Sequence, residues 1–411
     1  MARRPDADGS GMSARPRPIG VLRRILSHAK AVAASHWPVS GLGPDQPDDG
    51  GITGRWQAVE LVTGSVLFTD VKVGGRTMTA ILDTGSAATI IDTAAAAPLG
   101  LRGVPRGIHG LAVRVEVTAA SGTTIIAGGA TRKLPMLLVG DLGAMSAAIG
   151  RQVDLLLGAD LFADRCLAID IGRRRFSLAP SGSFRATHGW IALPLSRGER
   201  QELLVSAAVG ANPPAPMIAD SGSGIPLLLS ASYARQIDAS GTGPVSSAMM
   251  AGVDGVRTVD LFTLPRLRLG GCSIENVPTV GMPQWASVSA AGSIGMPLLG
   301  QFDLVFDLAR NLLWLRPLPD DTCLALVKDR SGLGVRLTEQ GLVVMHVAAG
   351  SPAARAGWTS GERVVAIDGV PVDDRYTAGQ LWRWRYRPAG EAVLLDLASG
   401  EERTLRLADF Y

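Results

Sequence analysis

Two short segments carry the residues best suited to chemistry. Asp83-Thr84-Gly85-Ser86 and Asp220-Ser221-Gly222-Ser223 share the order Asp, hydroxyl residue, Gly, Ser, and they lie 137 positions apart. One Asp-Thr-Gly is ordinary turn chemistry, but the flanks of these two are unusual for surface turns. Ile81, Leu82, Ile90 and Ile91 surround the first, and Ile218, Leu227, Leu228 and Leu229 the second. A carboxylate set among apolar residues loses hydration, so it must be hydrogen-bonded or shift its pKa. The Gly85 and Gly222 amides and the Ser86 and Ser223 hydroxyls are the adjacent donors. Two such loops brought to one axis would leave like charges side by side, and the pair would share one proton. The ionised member could then take a proton from a water held between them while the protonated member polarises a carbonyl, which suits peptide hydrolysis. That chemistry needs no nucleophilic side chain, metal or cofactor.

The same offset recurs downstream. Gly158 in LLLGADLF answers to Gly295 in SIGMPLL, Asp170 in LAIDIGRRRFSL to Asp307 in LVFDLARNLLWL, and Leu178 to Leu315, each pair 137 apart. Landmarks at one constant offset mean two copies of one unit. From 53 to 318 the chain runs in short apolar stretches broken by Gly, Pro and Asn, such as ELVTGSVLFTDVKV and DLFTLPRLRLGGCSIENV. That pattern predicts strands with few helices.

Composition bounds the alternatives. The 411 residues suggest two or three domains, and 46% hydrophobic against 19% charged residues is enough to build a core. Gly 50 and Pro 25 favour a turn-rich β fold over a helical bundle. A net charge of +3 gives no nucleic-acid footprint. No apolar run is long enough for a spanning helix, so no integral membrane segment is expected. Cys166, Cys272 and Cys323 lack CxxC spacing, and the five histidines form neither a close pair nor an HExxH, so no metal site is expected. Residues 1–52 read as a disordered basic tail. Within it IGVLRRILSHAKAVAA could form a basic amphipathic helix, and Arg23 and Arg24 spoil it as a secretion signal.

DTGS at 83–86 and DSGS at 220–223, with LLLG (155–158) and SIG (293–295), resemble the bacterial retropepsin-like or pepsin-like aspartic proteases that carry both lobes on one chain. The resemblance implies a mainly β, bilobal pepsin-like fold with an internal pseudo-two-fold repeat, its lobes spanning 53–180 and 181–318. It implies Asp83 and Asp220 as the catalytic dyad, supported by Gly85 and Gly222. Thr84 and Ser221 would cross-link the loops beneath, and Ser86 and Ser223 would orient the carboxylates. It further implies an extended peptide or unfolded protein as substrate, no cofactor, a single chain sufficient for one active site, and a periplasmic or envelope location. A Gly-rich flap also belongs to the pattern. TAASGTTIIAGG (118–129) and MMAGVDGVRT (249–258) are the candidates.

RPLPDDTCLA (316–325) reads as a linker. Beyond it, SGLGVRL (331–337) and GLVVMHVAAGSPAARAGWTSGERVVAIDGVPV (341–372) resemble an α+β PDZ domain over 326–411. Gly332-Leu333-Gly334-Val335 matches the loop that cradles a peptide carboxylate in that family. The likeness implies Leu333, Gly334 and Val335 as groove contacts and a C-terminal peptide as ligand.

Three rival readings start from the same residues. ADSGSGIPL resembles the nucleophile setting of a trypsin-like enzyme, with Ser221 as nucleophile and His109 as the one plausible upstream base. Ala219 and Ser223 replace two glycines of that pattern, and the repeat goes unexplained. AGSIG (291–295) faintly resembles a lipase elbow around Ser293, although its place in the repeat favours a structural role. A non-catalytic cleft that only binds peptides is the third.

Overall fold

The computed structural model describes residues 54–62, 66–110, 113–237, 245–324, 326–377 and 379–411. The basic tail expected over 1–52 lies outside the described residues. The rest is mainly β, and the repeat is built into its sheets.

The first copy forms a sheet whose inner strands are Ile90–Asp92, Leu155–Leu157 and Arg76–Leu82. Leu155–Leu157 runs parallel to Arg76–Leu82 and antiparallel to Ile90–Asp92. The second copy repeats this with Gly292–Gly295, parallel to Ala215–Asp220 and antiparallel to Leu227–Ser230. Parallel strands inside a sheet are covered on both faces, and these are accordingly short runs of apolar or small residues with nothing exposed at their centres. The registers correspond closely: Leu156 faces Ile81 in one copy and Ser293 faces Ile218 in the other, each pair 137 apart from its counterpart.

The offset is not constant throughout. Leu138 and Thr279, the partners of Ile90 and Leu227, stand 141 apart. Extra residues enter the second copy along its long hairpin, Ser246–Gly252 with Gly255–Leu269, and are lost again before Gly292. Its counterpart in the first copy is the hairpin Gly103–His109 with Arg114–Ser121.

A third sheet joins the copies. Its central strands, Arg165–Asp170 and Phe302–Asp307, pair antiparallel with Cys166 opposite Asp307 and Ile169 opposite Leu304. Arg175–Pro180 and Leu312–Pro317 flank them on either side. The bounds of both strand pairs differ by 137, which makes this sheet the place where the two copies meet about an approximate two-fold. Asp307 fastens the connection between them: its carboxylate accepts the Ser181 hydroxyl at 2.6 Å and the Gly182 amide at 2.8 Å, just past the end of Arg175–Pro180. Phe184, Trp190 and Trp314 stack edge-on against this sheet.

The segment read as a linker is fastened to the second copy. The strand Leu312–Pro317 continues into it, the Leu324 amide donates to Gly300 O at 3.0 Å, and the Leu324 side chain packs on Gly300.

The C-terminal residues form their own sheet in the order Leu333–Thr338, Gly341–Val347, Arg363–Ile367, Ala392–Leu397, Glu402–Arg406. Leu342, Val344, Trp358, Ile367, Trp384 and Leu395 fill its core. The helix Pro352–Arg355 starts at Ser351, whose hydroxyl accepts the Ala354 amide. Gly332 has a positive φ of 78°, and a Cβ there would lie 2.1 Å from Ser351 Oγ, so this turn admits glycine alone. The unit rests on the base of the second long hairpin. Ser246 donates its hydroxyl to Ala349 O at 2.6 Å, Ser247 Oγ and His346 Nε2 are 3.0 Å apart, Thr263 donates to Tyr411 O at 3.2 Å, and Leu261 packs on Phe410 and Tyr411.

Candidate active site

Both Asp-containing loops leave the ends of parallel strands. The Asp83 amide donates to Leu157 O at 3.1 Å, and Asp220 pairs with Gly295. The strand that ends in Gly158 or Gly295 then presses on the loop. A Cβ at Gly158 would lie 2.4 Å from Ala88 C, and one at Gly295 1.9 Å from Ile225 O. The next amides, Ala159 N and Met296 N, each reach the loop serine's carbonyl at 2.8 Å, Ser86 O and Ser223 O respectively. Ala88 and Ile225, like Ser86 and Ser223, are again 137 apart, so the glycines of LLLG and SIG have one physical role in both copies.

Beneath the carboxyls the loops are crossed. The Thr84 amide donates to Ser221 Oγ at 3.1 Å and the Ser221 amide to Thr84 Oγ1 at 2.9 Å. Each hydroxyl then donates to the opposite chain, Thr84 to Ala219 O at 2.7 Å and Ser221 to Leu82 O at 2.8 Å. Above them the glycines give way to the opposite carboxyl. A Cβ on Gly85 would lie 2.4 Å from Asp220 Cγ, and one on Gly222 2.5 Å from Asp83 Cγ. Asp83 and Asp220 therefore lie against one another.

Their own loops hold them. The Gly85 and Ser86 amides donate to Asp83 Oδ1 at 3.0 and 3.1 Å, and the Gly222 amide donates to Asp220 Oδ1 at 3.0 Å. Burial pushes both carboxyls above the usual range for Asp, and for Asp83 the neighbouring Asp220 charge adds to the push. Amide donors oppose the rise in both. Two buried like charges in contact retain one proton between them.

Several expectations need correction. The Ser86 hydroxyl donates to Ala88 O at 2.7 Å, and the Ser223 hydroxyl accepts the Ile225 amide at 3.2 Å. Both serines shape their loops, and the hydroxyls leave the carboxyls to backbone amides. Among the described residues the one hydroxyl that reaches the dyad is Ser293, which donates to Asp220 Oδ2 at 3.3 Å. Ser293 is buried and turned towards Asp220, a poor position for an elbow nucleophile. Ser221 is likewise fully buried with its proton on Leu82 O, and among the described residues no histidine bonds to it. His109 ends a strand of the first long hairpin.

Residues 118–129, expected as a flap, run from the end of the strand Arg114–Ser121 into a tight turn of the sheet. Gly128 and Gly129 make that turn between Thr124–Ala127 and Ala130–Lys133, within the first sheet. The hairpin matching MMAGVDGVRT is Gly103–Ser121. The two hairpin tips meet: a Cβ on Gly110 would lie 2.7 Å from Asp254 Cβ, and the Val113 amide donates to Asp254 Oδ2 at 3.3 Å. Arg257 holds Asp254 with an ion pair of 2.8 Å, and Val253 packs into the core of the first copy.

In the C-terminal unit Leu333 is fully buried and its amide donates to Ser331 Oγ at 3.1 Å, so neither its side chain nor its amide is open to a ligand. Gly334 and Val335 flank a bulge on Leu333–Thr338, the edge strand of the sheet. Asp329 organises the preceding turn by accepting the Ser331 and Gly332 amides and the Arg385 guanidinium.

Mainly β sheets in two related copies, with paired aspartates where the copies meet, define a two-lobed β protein with a shared carboxyl site. Residues 69–161 and 205–298 each match the family model described as aspartyl protease, one match per copy, which supports a protease of the aspartic kind with two lobes. No curated protein matches the chain. Among the described residues no helix is long and apolar enough to cross a membrane.

Proposed function

We propose that the chain is an aspartic endopeptidase in which Asp83 and Asp220 activate one water. The observation that carries this reading is the contact of the two carboxyls above the crossed Thr84 and Ser221. With one proton on the pair, the ionised carboxylate takes a proton from the water as its oxygen bonds to the scissile carbonyl carbon. The protonated carboxyl gives its proton to the carbonyl oxygen. The resulting diol collapses with proton transfer to the departing nitrogen, breaking the peptide bond and returning the dyad to its starting state.

The long hairpins whose tips meet at Gly110 and Asp254 serve as paired flaps. They would exclude water and hold an extended segment. Lobes of 53–180 and 181–318 supply one site per chain, and no cofactor enters the chemistry. We assign 326–411 as a PDZ domain whose open edge strand, Leu333–Thr338, would pair with a C-terminal peptide.

The serine alternative is disfavoured by the Ser221 hydroxyl, whose proton is spent on Leu82 O. A casein-cleavage assay tests the main reading. Asp83→Asn and Asp220→Asn should each abolish cleavage while the circular dichroism spectrum is kept, and a pepstatin-type inhibitor should block the native chain. Full cleavage by either variant would sink the proposal, and serine-directed inhibition would favour the alternative.

A further inference from the structure

The bonds that support the two carboxyls are symmetric up to a point. Each loop glycine amide reaches Oδ1 of its own Asp at 3.0 Å, and Thr84 and Ser221 are interchanged by the repeat. The symmetry breaks on the strand beside each loop. At the register facing Ile218 stands Ser293, 1% exposed, and at the register facing Ile81 stands Leu156, 2% exposed. Ser293 donates to Asp220 Oδ2, while both amides on Asp83 converge on Oδ1 and no described amide or hydroxyl reaches its Oδ2.

A hydroxyl that donates to a carboxyl oxygen favours the ionised form, and a leucine methyl offers nothing comparable. The bond length of 3.3 Å is long for a hydroxyl on a carboxylate. Contacts of this kind tighten when substrate displaces water from the site. On the reading of Asp83 and Asp220 as the catalytic pair, we propose that Ser293 is a positioning residue that fixes the charge of the dyad on Asp220 and leaves the shared proton on Asp83. Asp220 is then the base that draws the proton from the attacking water, and Asp83 is the acid that protonates the carbonyl oxygen. The loop amides do not make that choice, because they oppose the rise of both carboxyls. A single Leu-to-Ser difference between the copies makes it for them.

The charge effect runs the same way: burial raises both carboxyls, the Asp220 charge pushes Asp83 up further, and the Ser293 bond opposes the rise at Asp220. Removing the hydroxyl destabilises the singly ionised dyad, so the first proton leaves at higher pH. The acid limb of the kcat/KM profile should therefore move upward by about one pH unit in Ser293→Ala, with Ser293→Thr restoring the native limb. A packing role alone would lower activity at every pH without moving the limb.

The experiment is a pH profile of peptide cleavage for the full chain and the Ala, Thr and Cys variants. Ser293→Cys, nearly isosteric and a weak donor, covers the case in which Ala fails to fold, and it too should shift the limb upward. A folded Ala or Cys variant whose acid limb overlays the native one, or moves down, overturns the inference. Asp83→Asn and Asp220→Asn are measured alongside. If either cleaves normally, the catalytic reading itself fails. If both are dead and the limb does not move, the role of Ser293 alone is overturned.

Discussion

Thr84 and Ser221 each donate a backbone amide to the hydroxyl of the other, at 3.1 and 2.9 Å, and each then passes its hydroxyl proton to the other's strand. The two residues are 1% and 0% exposed. Four buried bonds therefore join the loops, and neither carboxyl can shift without the other. The site exists only as the product of both copies.

Removing one hydroxyl strands two buried groups at once. Thr84→Val leaves the Ser221 amide and Ala219 O unpaired, and Ser221→Ala does the same to the Thr84 amide and Leu82 O. Each should cost about 3 kcal/mol in urea denaturation, given roughly 1–3 kcal/mol per buried group left unsatisfied. A loss of activity in Ser221→Ala with unchanged stability would instead mark Ser221 as a reacting group.

Gly85→Ala and Gly222→Ala test the close approach. The added methyl would stand 2.4 Å from Asp220 Cγ or 2.5 Å from Asp83 Cγ, so the opposite carboxyl must move. Displacement by about 1 Å costs on the order of 100-fold in rate. Cleavage should fall by that much with the fold retained in the circular dichroism spectrum.

Burial of the dyad ties stability to pH. Both folded pKa values lie above the ordinary 3.8, so between 3.8 and those raised values the folded chain holds more protons than the unfolded one. The contribution of the dyad to stability is then fully present below 3.8 and is lost as pH rises through that window. Asp83→Asn removes one ionisable member, so its Tm should exceed the native value at neutral pH and the gain should vanish at about pH 3. A constant Tm difference from pH 3 to 8 would contradict this.

Asp254 joins the two hairpin tips by accepting the Val113 amide while paired to Arg257. Asp254→Ala should speed amide exchange in 103–121 and raise KM several-fold with a smaller change in kcat. Unchanged exchange in that hairpin would mean the tips do not depend on the carboxylate.

The sequence made the repeat and its carboxyls visible because buried turns need glycine, hydroxyl and aspartate at fixed places. Gly158 and Gly295 each press on a loop backbone where no side chain fits, and such positions leave a readable trace. The match of the hairpin Gly103–Ser121 to 249–258 is hidden in the sequence for two reasons. Extra residues in the longer second hairpin shift the offset from 137 to 141, and the glycine-rich 118–129 uses its Gly128-Gly129 pair in a tight turn with positive φ. Adjacency in sequence does not say which way a hydroxyl turns, so Ser86 and Ser223 read as carboxylate partners while their hydroxyls bond within their own loops. In the sequence Ser293 resembles only a faint elbow, since its bond to Asp220 spans 73 residues and depends on strand register.

Ser246, Ser247, Leu261 and Thr263 root the second hairpin on the C-terminal unit, far along its strands from the tip at Asp254. A lever clamped at its root bends along its free length, and the clamp here is a separate sheet. Truncation after residue 325 would release those four anchors and move the hinge down towards the body of the second lobe. The reach and stiffness of that hairpin are thus set by residues outside the lobe that carries it.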